Sequence, residues 1–205
     1  VLIVHPEGKM AAVEYGRGAL IPALLARRLS VLVLDAYGTG DLSDLDRDRT
    51  VDHFTCFYPT DSALRVQDIL TALAYLRARA YTCSSSAYAT HLVGLGEAGL
   101  WCLLARALAG PAVGRTVADA AQFACDDDAW IQSLDLPLLR RAGDLRTAVA
   151  LSAPGPLWIH NTAPSFPSAW CRQAYRAAGT PDALHIRTGR ADCATIVAWL
   201  TEKGI

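Results

Sequence analysis

Six short apolar runs, each separated from the next by a helical or polar stretch, set the strongest limit on the fold of this chain. They are VLIVH (1–5), SVLVLDAYGTGD (30–41), THLVGLG (90–96), PAVGRTVAD (111–119), GPLWIHN (155–161) and ALHIRTG (183–189). The first five do not alternate apolar with polar residues, as a strand with one wet face does. Continuous apolar strands joined by helices indicate a parallel sheet covered on both faces. The intervening patterns predict helices over 17–29, 61–80, 97–110, 168–178 and 192–203, with 126–147 helical but partly irregular. Pro22 must then lie in a first turn or kink its helix. Asp61 or Ser62 is expected to cap the second helix. Leu64, Ile69, Leu73 and Leu76 share one face of it, and Arg65 and Asp68 stand three apart, close enough to pair. We read one α/β domain over 1–205, a three-layer α/β/α sandwich on a mostly parallel sheet.

Composition narrows the class. The chain has 205 residues, 52% of them hydrophobic, and a formal net charge of -1. That length suffices for one domain with a sizeable core. The charge leaves no basic surplus for nucleic acid or an anionic membrane. Arg27 and Arg28 interrupt the longest apolar candidate before it reaches the ~18–20 residues of a membrane span. The six cysteines show no CxxC pair and no metal-ligand spacing, and Cys102 reads as a packed thiol. The compartment stays open. The sequence begins in a strand, without methionine and without a signal peptide, so we expect part of a longer polypeptide or a processed product. Ser84-Ser85-Ser86 reads as a polar loop.

The stretch VGLGEAG (93–99) fits two templates. As Gly94-x-Gly96-x-x-Gly99 it is a dinucleotide fingerprint, with Asp119 at the end of the next strand where a ribose-binding acid belongs. That reading implies an NAD(P)-binding domain. Equally, the stretch is a strand–turn–helix elbow with glycine where a nucleophile stands.

The flanking segments favour the elbow. His5-Pro6-Glu7-Gly8 resembles an oxyanion loop. Asp35, Gly38, Gly40 and Ser43 resemble a D-x-x-G-x-G-x-S loop with the serine one residue later, and HLVGLGEAG falls where V-G-x-S-x-G-G is expected. PLWIHNTAP resembles the strand that ends in H-G-T-x-D. Taken in order, the chain resembles the α/β-hydrolase superfamily, in its dienelactone hydrolase and acetyl xylan esterase-like branch, without that fold's first strands.

The resemblance implies a Ser/Asp/His triad, and the matching positions depart from it. The nucleophile position carries Gly96, the acid position Pro164. The loop for the base, 188–192, ends in Asp192 and holds no histidine. The expected reading is therefore an esterase-related domain with a degenerate triad, acting as a structural or binding module beside other domains or subunits. No cofactor is expected. The pocket candidates are His5, Glu7, Gly8, Glu97, His160 and Asn161. An active carboxylic-ester hydrolase using Glu97 or His160 is the alternative. A metal site from His5, Glu7, His160 and Asp192 has no supporting ligand spacing. His185 is expected to pack inward, and His53 and His91 to serve a loop and a strand start.

Overall fold

In the computed structural model, which describes residues 1–45, 47–83 and 89–202, six parallel strands form one sheet. The serine run 84–86 lies outside the described residues. The strands are β1 (Leu2–Val4), β2 (Leu32–Leu34), β3 (Leu92–Gly94), β4 (Thr116–Asp119), β5 (Leu157–His160) and β6 (Leu184–Ile186), in the order β2-β1-β3-β4-β5-β6. Each apolar run supplies one strand. The strands are shorter than the runs because the rest of each run forms the turns at its ends.

Helices cover both faces. On one side pack α1 (Lys9–Gly18), α2 (Leu20–Ala26) and α9 (Cys193–Thr201). Here Ile3, Val93, Val117 and Trp158 meet Leu20, Leu24, Ile196 and Leu200. On the other side pack α4 (Asp61–Cys83), α5 (Ala98–Ala109), α7 (Asp144–Ser152) and α8 (Ser168–Ala177), against Leu2, Leu92, Leu157 and Ile159. Two short helices, α3 (Phe54–Phe57) and α6 (Asp127–Ala129), lie in the connections. Every buried residue of β1, β3 and β5 is apolar except His160, which is why those runs read as unbroken.

Several local expectations change. The helix expected over 17–29 is preceded by α1, which the sequence hides behind Gly16 and Gly18. Tyr15, Gly16 and Arg17 leave helical geometry, so the chain bends before α2 begins. Pro22 sits in the first turn of α2, where its missing N–H costs no bond. Thr60, not Asp61 or Ser62, caps α4, its Oγ1 accepting from Ala63 N–H at 3.3 Å. Arg65 and Asp68 do not pair. Asp68 accepts from the Tyr37 N–H at 2.8 Å, and Arg65 donates to the Tyr37 carbonyl at 3.0 Å while lying over the Trp101 ring. Together they grip one residue, Tyr37, of the loop after β2 by the peptide groups on either side of it. Over 126–147 the chain forms α6, a π-helical turn at Trp130–Leu134 and the start of α7.

Arg106 is almost wholly buried without a carboxylate partner among the described residues. Its guanidinium donates to the carbonyls of Gly110 and Ser152, at the C-terminal ends of α5 and α7. The negative ends of two helix dipoles stand in for an anion there.

Candidate functional site

The strands end together at one edge of the sheet, and the loops leaving β1, β2, β3, β4, β5 and β6 meet there. Ligands of open α/β sheets bind at this edge. The turn between β3 and α5 is sharp. Gly96 has φ +52, a conformation that costs other residues about 1–2 kcal/mol. Gly94 and Gly99 serve close packing instead. A Cβ on Gly94 would lie 2.5 Å from the Gly99 Cα, and one on Gly99 only 2.0 Å from the Asp119 carbonyl oxygen. The glycine spacing is therefore a packing requirement of strand against helix. Above the apex, the ring of Pro6 stands 3.3 Å and 3.5 Å from the point a Gly96 Cβ would occupy. The position matched to the nucleophile has no side chain and a proline over it. Glu97 follows at the N-cap of α5, exposed, with no capping bond from its side chain.

The loop His5–Gly8 is held from within and from outside. Glu7 donates its N–H to the His5 Nδ1 at 3.1 Å, and Gly8 donates to the His5 carbonyl. The Glu7 N–H is thus spent inside the turn. Burial pushes the His5 pKa down, with Glu7 pulling it up and Arg190 adding to the fall. Gly8 is buried at φ +90 against Gly40, with 2.4 Å between a would-be Cβ and the Gly40 Cα. Asp35 fastens the two loops: its carboxylate accepts the Lys9 N–H at 2.5 Å and pairs with Lys9 Nζ at 3.0 Å. Burial raises the Asp35 carboxyl, but the hydrogen bonds from Lys9 outweigh it and hold the pKa below the ordinary carboxylate value.

Asp119 and His160 face each other as register partners at the ends of β4 and β5, both fully buried. Asp119 Oδ1 accepts from the Ala121 N–H at 2.8 Å and from Asn161 Nδ2 at 2.7 Å. Its Oδ2 lies 3.5 Å from Arg190 Nε. Asp119 is fully buried, with Oδ2 accepting no hydrogen bond among the described residues, and is not the accessible strand-end acid that a ribose hydroxyl requires. His160 Nδ1 accepts from the Ala191 N–H at 3.4 Å, and its Nε2 has no hydrogen-bond partner among the described residues. Burial depresses its pKa against the pull of Asp119. Asn161, at φ +57, links the loops further, accepting from Gln122 Nε2 at 2.8 Å.

The remaining candidates scatter. Pro164 is exposed in the turn after β5. Asp192 caps α9, accepting from Thr195 N–H at 2.7 Å and Oγ1 at 2.6 Å, and these bonds lower its pKa. His185 does not pack inward. It is exposed on the edge strand β6, its ring edge toward Trp199. His91 Nδ1 accepts from the Arg115 N–H at 2.9 Å, and burial pushes its pKa down to about 4. His53 starts α3 from the loop. Among the described residues no group of three or more His, Cys, Asp or Glu side chains is placed to hold a metal ion. No helix among them is long and apolar enough to cross a membrane.

Two contributors were not legible as such. Arg190, in the loop where the base is expected, pairs with Asp119 and lies over the Tyr15 ring at 5.4 Å. Tyr15 comes from the unread helix α1. A lone arginine in a loop expected to hold a histidine was the available signal. An arginine cannot accept a proton at ordinary pH, so the group standing there is a permanent cation.

The strand order, the crossover helices and the glycine elbow after β3 define the α/β-hydrolase fold. Solved structures bear this out. The chain superposes on a protein described as an acetyl xylan esterase from Bacteroides fragilis with TM-score 0.67 and 13% identity. It covers 100% of this chain and 61% of that one. A methylesterase gives 0.66 at 15% identity, with 98% and 48% covered. A dienelactone hydrolase from Klebsiella pneumoniae gives 0.54 at 18%, with 97% and 76% covered. The chain thus spans about half to three-fifths of the length of the first two. Identities this low define the fold alone. No protein-family model matches the sequence, and no curated protein does.

Proposed function

We propose that this chain is a catalytically inactive, esterase-related α/β-hydrolase domain, one unit of a larger polypeptide or assembly, in which it acts as a structural or binding module. The observation that carries the reading is the elbow: Gly96 at φ +52 with the Pro6 ring over its apex. Acyl transfer on this fold needs a nucleophile there, a base beside it and an acid to orient the base. The base loop instead supplies Arg190, engaged by Asp119. The other groups proposed to line the remnant site are His5, Glu7, Gly8, Glu97, His160 and Asn161. His5, Glu7 and Gly8 are bonded within their own turn, Asn161 to Asp119 and Gln122, and Glu97 is exposed, while His160 is buried with its Nε2 unbonded among the described residues.

The test is ester hydrolysis by purified chain with p-nitrophenyl acetate, beside Gly96→Ser, Glu97→Gln and His160→Gln. The expected result is the buffer rate for all four, because Gly96→Ser restores a hydroxyl without a base. Turnover by the parent chain that is lost in Glu97→Gln or His160→Gln would overturn the reading and establish an active hydrolase with relocated groups.

A further inference from the structure

Away from the elbow, a cavity of about 440 Å³ opens beside the edge strand β6, between α8 and α9. Its floor is aromatic: Trp158 and Trp199, 5.8 Å apart and tilted by 54°, with the backbone of β6 alongside. Its rim is cationic. Arg187 lies over the Trp158 ring at 5.7 Å, and Arg172 donates to the Ile186 carbonyl at 3.0 Å. Neither arginine forms a salt bridge among the described residues, although Arg187 is near enough to Asp192 to help lower its pKa, and His185 is exposed beside them. The one acid on the wall, Glu202, is turned to Arg115 at 3.7 Å. Trp199, nine-tenths buried, also lines this cavity, and its Nε1 has no hydrogen-bond partner among the described residues.

A chain of net charge -1 that sets Arg187 over the Trp158 indole and Arg172 on the same rim, while Arg115 lies over the Trp199 ring at 5.0 Å, presents a specific chemistry. Guanidinium forks match the geometry of a carboxylate. Indole edges match a ring. We propose that this cavity binds a small carboxylate carried on a ring, its carboxylate held by Arg187 and Arg172 and its ring against Trp158 and Trp199. Neither the elbow nor Arg190 takes part, so the site stands whether or not the chain hydrolyses esters.

The experiment is tryptophan-fluorescence titration of the full chain with benzoate, glucuronate and acetate, with thermal melting alongside. A ring acid is expected to bind saturably at millimolar concentration and raise the melting temperature, with acetate at least about tenfold weaker. Benzoate binding identifies an aromatic acid, glucuronate binding a sugar acid, and either supports the site. Arg187→Gln removes one charge-assisted contact and is expected to weaken binding about tenfold or more. Arg187 is exposed, so that variant should melt with the parent, and Arg172→Gln gives a second reading of the same effect. Absence of saturable binding by both ring acids, acetate binding as tightly as either, or unchanged affinity in both variants would overturn the proposal.

Discussion

Replacing Arg190 with glutamine should destabilise the chain although Arg190 lies mostly in solvent. Asp119 is fully buried, and Arg190 is the cation facing its Oδ2. Removing one partner of a buried ion pair costs about 3–5 kcal/mol, because the remaining charge stays desolvated. Two features lower that figure here. The Nε to Oδ2 distance is a long 3.5 Å, and the Arg190 side chain is 58% exposed. Oδ1 also keeps its bonds from Ala121 and Asn161. We expect a loss of about 2 kcal/mol, or roughly 4–8 °C in melting temperature for a chain of this size. Asp119→Asn should cost less, about 1 kcal/mol, since the freed arginine turns to water. The double variant should be more stable than the sum of the single effects by about 1 kcal/mol, the coupling of the pair. That cycle separates the ion pair from the stacking of Arg190 on Tyr15, which is lost with Arg190 in either background. Urea unfolding of the four proteins, with slope and midpoint fitted, gives the values. Arg190→Gln within about 0.5 kcal/mol of the parent, or strict additivity, would refute the argument that this pair latches the loops after β4 and β6.

Gly99→Ala should be among the most damaging alanine substitutions. Its Cβ would stand 2.0 Å from the Asp119 carbonyl oxygen, a backbone group that cannot swing aside, and a loss of about 3 kcal/mol is expected by thermal melting. His91 sets a pH dependence of definite sign. Its folded pKa is about 4 against 6.5 unfolded, so between those values the unfolded chain binds a proton that the folded chain does not. The associated stability is complete above pH 6.5 and drains away as pH falls toward 4, and His91→Gln should flatten that part of the urea-midpoint curve.

The sequence carried the inner strands β1, β3, β4 and β5 well, because burial on both faces leaves no polar alternation and each shows as a largely apolar run. It carried the elbow for a related reason: Gly94, Gly96 and Gly99 are each demanded by backbone geometry, and such demands are local. Helix α1 was not legible, since Lys9–Gly18 has two glycines and one buried residue to show for itself. The caps and ion pairs of α4 were misplaced because spacing along a helix says which side chains can meet, not what else is within reach. Arg65 and Asp68 found the Tyr37 backbone instead of each other. His185 was misread because strand position alone does not say which strand is the outermost. The Asp119–Asn161–Arg190 network joins three loops distant in sequence, and nothing but the closed sheet brings them together.

The buried guanidinium of Arg106 has a consequence for how the molecule comes apart. It ties the last turn of α5 to the last turn of α7, and Gly155, just before β5, is pressed so close that a Cβ there would lie 1.7 Å from Nη2. None of the three segments can fray alone without stranding a desolvated cation. They therefore open as a single cooperative unit or stay shut, so the shallow, piecemeal loosening common at helix ends is suppressed at this corner of the molecule.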